Sequence, residues 1–198
     1  MPRIVCLDLE GVLVPEVWIA FAEKTGIPEL RRTTRDEPDY DKLMRGRIAI
    51  LDQHKLTLPD IQDVIATLAP LDGAAEFLDE LRAKTQVVIL SDTFYQFAAP
   101  LMRQLGWPTL FCHELVVEES GRVADYRLRL ADGKKKAVAA LQELAFTVHA
   151  AGDSYNDTAM LAQADRGILF SCPDNVAREF PQFRRTDSYD DLMSALLD

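Results

Sequence analysis

Short, almost unbroken apolar runs alternate along this chain with stretches in which apolar residues recur every three or four positions. Residues 4–9, 86–90, 146–151 and 167–170 have the length and lack of alternation expected of strands buried on both faces of a parallel sheet. Residues 110–113 read as a further strand, and 114–130 alternate about Ser120-Gly121 in the manner of a hairpin. Pro15 can open a helix that carries Trp18, Ile19 and Phe21 and is stopped by Gly26. Residues 39–54 place Tyr40, Leu43, Met44, Ile48 and Leu51 at helical spacing, and Thr57 is a good N-cap before Pro59 and the turns of 61–68. A helix over 72–84 leads back to the sheet. Strands alternating with helices predict an α/β fold with a parallel sheet between two helical layers. A crossover between parallel strands needs only a dozen or so residues. Most of the chain between the first and second strands is therefore surplus, and it predicts a small helical cap inserted after the first strand. The expected division is a core of residues 1–14 and 71–198 and a cap of residues 15–70.

Composition narrows the class without changing the fold. The 198 residues are 48% hydrophobic and 27% charged, as in an ordinary globular domain, and the formal net charge is −10. That balance lacks the basic footprint of a nucleic-acid binder. No run approaches the length of a membrane span, and the first residues lack the pattern of a secretory signal. Cys6, Cys112 and Cys172 are odd in number and far apart, which suggests free thiols in a reducing cytoplasm. His54, His113 and His149 have no ligand spacing and read as structural.

Four short motifs stand where strands end or helices begin. They are Asp8-Leu9-Glu10-Gly11, Ser91-Asp92-Thr93, Lys134 after Asp132-Gly133, and Gly152-Asp153-Ser154-Tyr155-Asn156-Asp157. Each alone has a plain alternative, since Ser-Asp caps helices and a lysine run is usually solvated. Their order is what carries the argument, because ligands of an open α/β sheet bind outside the carboxyl ends of its strands. Phosphoryl transfer fits the set, since it demands positioning and charge neutralisation above all. Asp8 can act as the nucleophile, and Glu10 is placed to protonate the leaving alkoxide and then to activate water. Mg²⁺ takes oxygen ligands, which Asp8, Asp153 and the Glu10 backbone carbonyl can supply. Ser91 can hold phosphate oxygens while Lys134 offsets their charge.

The set Asp8/Glu10, Ser91, Lys134 and Asp153/Asn156/Asp157 resembles the four signature motifs of the haloacid dehalogenase superfamily. The resemblance implies a Rossmann-like three-layer core, a cap after the first motif, Mg²⁺, and a phosphoaspartate on Asp8. It also implies that Asp92 and Asn156, within the second and fourth motifs, stand beside the substrate. Glu16 and Arg47 fall where the phosphoserine phosphatase branch reads the ammonium and carboxylate of its amino acid, with Tyr40 as an aromatic wall. Glu16 equally suits a helix's first turn, and Arg47 the solvated side of a helix. Two positions depart from most of that branch: Glu10 stands for Asp, and Asp92 for Gly. With DLEGVLVPE and AAGDSYNDT, they are similar to a bacterial bifunctional subgroup that also passes phosphate from phosphoserine to homoserine. This implies a small-molecule substrate, no nucleic-acid or membrane partner, and a place in serine and threonine biosynthesis. The competing expectations are a phosphatase for another small phosphomonoester, or a phosphate sensor without turnover.

Overall fold

The computed structural model describes residues 1–33, 36, 37 and 39–198. The order is β1 (Arg3–Leu7), α1 (Val17–Thr25), α2 (Tyr40–Gln53), α3 (Leu58–Ile65), α4 (Ala74–Lys84), β2 (Gln86–Phe94), α5 (Tyr95–Gln104), β3 (Thr109–Val117), β4 (Val123–Arg127), α6 (Gly133–Glu143), β5 (Thr147–Gly152), α7 (Thr158–Gln163), β6 (Arg166–Phe170), α8 (Asp174–Glu179), β7 (Arg184–Thr186) and α9 (Tyr189–Leu197). The described strands form one seven-stranded sheet in the order β4-β3-β2-β1-β5-β6-β7. All neighbours are parallel except β3 and β4. The chain steps from β1 to β2 on one side, and β5 takes the other side, so β1 sits at the topological switch point where such sheets bind ligands.

Side chains alternate across β1, as a strand's period of two requires. Val5 and Leu7 join a cluster with Phe77, Leu81, Phe97, Leu192 and Leu196 from α4, α5 and α9. Ile4 and Cys6 join the opposite cluster, with Val138, Met160 and Val176 from α6, α7 and α8. Both faces are therefore covered, which gives the expected three-layer α/β architecture. No helix among the described residues is long and apolar enough to cross a membrane.

The helices at 17–65 lie over one end of this sheet and share its first cluster through Phe21, Leu30, Met44 and Ile61. Gly26 closes α1 in the left-handed region, Asp39 caps α2, and Thr57 with Asp60 forms a capping box on α3. The ends of the segment are tied together where the Leu71 amide donates to the Leu13 carbonyl at 3.0 Å. A defect in α5 provides another anchor. Pro100 has no N–H for the Gln96 carbonyl one turn back, and the Gln62 side chain of α3 donates to that carbonyl at 2.9 Å.

Several expectations need correction. The strand predicted over 4–9 stops at Leu7, because the chain turns at once: the amides of Leu13 and Val14 both donate to the Leu9 carbonyl. Glu10 therefore sits in that turn and not on an extended strand end. The strand predicted over 86–90 continues to Phe94, held after a bulge by pairing with His113. The strand at 110–113 and the first arm of the hairpin are a single strand, β3, parallel to β2 in its first half and antiparallel to β4 in its second.

Candidate active site

The residues singled out above converge. Asp8, Glu10, Glu16, Arg47, Ser91, Asp92, Lys134, Asp153 and Asn156 all line one cavity at the carboxyl ends of β1, β2 and β5. Asp8 is delivered by β1, its amide donating to the Ala151 carbonyl of β5 at 2.9 Å. Ser91 and Asp92 come from β2, Lys134 from the first turn of α6, and Asp153 to Asp157 from the loop after β5. Glu16 and Arg47 come from the helical segment above.

Two glycines allow this closeness. Gly11 has φ +78°, and a Cβ there would lie 2.5 Å from the Asp153 carboxylate. A Cβ on Gly152 would lie 2.3 Å from Cγ of Asp157. Both glycines let backbone pass where a carboxylate must sit.

Lys134 organises the floor. Its Nζ lies 2.8 Å from Asp8 Oδ1, 2.8 Å from Asp157 Oδ1 and 3.6 Å from Asp92 Oδ2. It is 6% exposed, and Asp157 is fully buried. Burial works against the Lys134 ammonium, but Asp157, Asp8 and Asp92 outweigh it and hold its pKa well above the usual value. Asp157 Oδ2 accepts from the amides of Asp153 and Ser154 at 3.0 and 3.2 Å. The sequence placed Asp157 in the fourth motif without a role. The structure makes it the brace of Lys134 and of the loop, and its spacing four residues after Asp153 was the available signal.

The carboxylates crowd one another. Burial, Asp157 and Asp153 push Asp8 well above the ordinary carboxylate range, against the pull of Lys134. Asp153 is pushed up to about 6, first by burial and then by Asp157 and Glu16. Glu10 is pushed up to about 8 by burial and by the adjoining Glu16. Its Oε2 accepts from the Val17 amide at 3.3 Å, and Thr93 also bonds to the carboxyl. The Glu10 carboxyl is therefore engaged by Val17 and Thr93, outside the group of oxygens formed by Asp8, Asp153 and Asp157. Oxygens of Asp8, Asp153 and Asp157 lie within 4.8 Å of one another. Opposite ligands of an octahedral Mg²⁺ stand about 4.2 Å apart, so this donor set fits such an ion with small side-chain adjustments. Because both Asp157 oxygens are already engaged, Asp8 and Asp153 are the better direct ligands.

Asp92 has a different balance. Burial would raise its carboxyl, but Lys134, His113 and Asn156 hold it below the usual range. Asn156 Nδ2 donates to Asp92 Oδ2 at 3.1 Å, and His113 Nε2 lies 3.5 Å from Oδ1. The Tyr40 hydroxyl donates to the Asp92 backbone carbonyl at 3.0 Å. His113, read from sequence as structural, thus touches a residue that lines the cavity. His149 bonds through Nδ1 to the Leu196 carbonyl, far from these groups.

Arg47 is not on the solvated side of α2. It is 7% exposed, with Cζ 4.5 Å from the centre of the Trp18 ring. Nη2 donates to the Arg32 carbonyl at 2.6 Å, while Nε has no partner among the described residues. Burial lowers its pKa to about 10, against the opposing pull of Glu10, Tyr40 and Glu16. It is therefore a charged guanidinium at neutral pH, in the same cavity as Asp8.

Comparisons with known proteins identify the family. A family model described as haloacid dehalogenase-like hydrolase matches residues 2–165. The chain is 64% identical over 190 residues to a phosphoserine phosphatase of Pseudomonas syringae pv. tomato, covering 96% of this chain and 80% of that protein. It is 63% identical over 195 residues to phosphoserine phosphatase ThrH of Pseudomonas aeruginosa, covering 98% and 95% respectively. A solved structure described as a phospho-aspartyl intermediate analogue of phosphoserine phosphatase matches with a TM-score of 0.80 over 98% of each chain. At 18% identity, that last likeness is one of fold.

Proposed function

This chain belongs to the haloacid dehalogenase-like hydrolases, and on that premise we propose that it is a Mg²⁺-dependent phosphoserine phosphatase that also transfers phosphate to homoserine. The observation that carries the substrate is Arg47. A buried guanidinium with an unpartnered Nε, in one cavity with a nucleophile, is an incomplete anion site. The carboxylate of an amino acid completes it, and Glu16 across the cavity takes the ammonium. In this reading residues 15–70 form the cap that recognises the amino-acid end, and the sheet edge handles the phosphoryl end. The relatives at 63–64% identity carry the same substrate in their names.

The reaction follows from the positions of the side chains. Asp8 is oriented by Lys134 and by the Leu9 amide, both 2.8 Å from Oδ1, and one of its carboxylate oxygens attacks phosphorus. It forms a bond to phosphorus as the serine oxygen leaves, and Glu10, protonated at neutral pH, gives that oxygen its proton. Glu10 is then a carboxylate and takes a proton from water or from the homoserine hydroxyl. That oxygen attacks the phosphoaspartate and frees Asp8. Ser91 and Lys134 hold the phosphoryl oxygens throughout, with Asp92 and Asn156 bordering them. Mg²⁺ held by Asp8, Asp153 and the Glu10 carbonyl would offset phosphoryl charge and keep Asp8 ionised.

The direct test is phosphate release from L-phosphoserine with Mg²⁺, with and without homoserine. Release that falls as phosphohomoserine appears supports a phosphoenzyme shared by two acceptors. Release without transfer would remove the homoserine half of the proposal, and absence of turnover would remove the substrate.

A further inference from the structure

A second cavity lies behind the phosphoryl floor, on the opposite face of β2 and β3. Its origin is a gap in the helical layer. Helix α6 packs on β2 and β5, but β3 extends beyond it, and Phe111 on that strand is only partly buried. What covers the ring is a cation: Arg129 Cζ lies 4.5 Å from the centre of Phe111. Between them, Phe111, Leu90 and Ala137, with the exposed Leu130 and Ala140 at the rim, wall an open cavity of about 230 Å³. That is roughly the liquid volume of eight waters, room for a molecule of about ten heavy atoms.

The charges at this cavity are one-sided. Arg129 and Lys136 line it, and neither makes an ion pair among the described residues. Arg129 is held ready: its Nη1 donates to the Tyr95 hydroxyl at 3.0 Å, and its backbone amide donates to His113 Nδ1 at 3.2 Å. Among the described lining residues, the carboxylate is Asp92, already engaged by Asn156, His113 and Lys134. In a chain of net charge −10, two cations without acidic partners at the edge of an apolar cavity are complementary to an anion with an apolar body.

We propose that this cavity binds a small aromatic or branched aliphatic carboxylate and that its occupancy is felt at the phosphoryl floor. The apolar part fills the space between Phe111 and Ala140, and the carboxylate meets the fork of Arg129 and the ammonium of Lys136. The link to catalysis is the shared wall, since Ser91, Asp92 and Lys134 line both cavities. The Asp92–His113–Arg129 chain of contacts joins them as well.

The probe is phenylacetate, with the uncharged phenylacetamide as control, added to the full chain. Binding is read by calorimetry, and turnover is followed separately with p-nitrophenyl phosphate. Saturable binding of phenylacetate, at least about tenfold tighter than the amide, is expected. Ala140→Trp should abolish it by filling the cavity, and Arg129→Gln should weaken it about tenfold. Bound phenylacetate should change kcat with little change in KM. No saturable binding at millimolar concentrations overturns the site. Binding that survives Ala140→Trp and competes with substrate also overturns it, because the acid would then be resting on Arg47. Binding that leaves kcat untouched overturns the link to catalysis.

Discussion

Replacing Arg47 by Met tests the substrate assignment directly, because phosphoserine offers Arg47 a carboxylate and p-nitrophenyl phosphate does not. The side chains are similar in length, so the aliphatic contact over Trp18 is largely kept while the guanidinium is lost. In the free protein that guanidinium is poorly solvated. The fall of its pKa from 12.5 to about 10 corresponds to a penalty on the charged form of about 3 kcal/mol. A substrate carboxylate relieves that penalty and adds charge-assisted hydrogen bonds, each of about 1.5–3 kcal/mol. Losing one or two of them predicts a fall in kcat/KM on phosphoserine of about 10 to 10⁴. p-Nitrophenyl phosphate has no carboxylate, so its kcat/KM should change by only a few-fold. Folding should move by about 1 kcal/mol or less, because the lost Arg32 contact is offset by removing a buried charge. The assay is steady-state kinetics on both substrates with Mg²⁺, beside a thermal melt. Equal losses on the two substrates, with an unchanged melt, would refute the reasoning and favour a phosphatase for another small phosphomonoester.

Further expectations concern the floor and the proton. Lys134→Met leaves Asp8 and Asp157 buried without their cation, which should cost about 3–5 kcal/mol, or roughly 6–20 °C in Tm; a melt within a degree of the parent would contradict the role assigned to this lysine. Glu10, pushed up to about 8, is an acid below that pH and not above it. Phosphoenzyme formation from phosphoserine should therefore decline as pH rises through about 8, whereas p-nitrophenyl phosphate, whose leaving group needs no proton, should show no such limb in pre-steady-state bursts. Glu10→Asp withdraws the carboxyl by about an ångström, a displacement that can change a rate by about a hundredfold. If the longer side chain slows water and so favours an alcohol acceptor, the ratio of phosphohomoserine to phosphate should change in this variant. An unchanged ratio means that Glu10 does not select the acceptor.

The sheet was readable from sequence where burial on both faces made the signal, as in β1, β5 and β6. It failed where tertiary pairing decides. Arg184-Arg185-Thr186 has no apolar pattern, yet it forms the edge strand β7 because β6 offers it a free side. Ser91-Asp92 alone suits a helix cap, yet the strand runs on to Phe94, where pairing with His113 holds its far end in the sheet. The site was readable as a set because strand ends converge in an open α/β sheet, so order along the chain was enough to gather its members. What one sequence could not give was orientation. The placement of Glu10 in a turn, the burial of Arg47 against Trp18 and the approach of His113 to Asp92 depend on contacts between segments far apart in the chain.

The central position of β1 also has a consequence for how the molecule is made. Its two neighbours are β2 and β5, and the register with β5 runs from Arg3↔Thr147 to Leu7↔Ala151. During synthesis the first strand must wait, one edge unpaired, until the chain has grown past residue 152 and cleared the ribosome. Pairings of such long sequence separation are slow to form, and an exposed apolar edge invites association with other chains in the interval. Asp8 therefore emerges well before the loop after β5 that surrounds it. Nascent chains arrested before β5 should therefore be the aggregation-prone species, inactive however well the helices at 17–65 have formed.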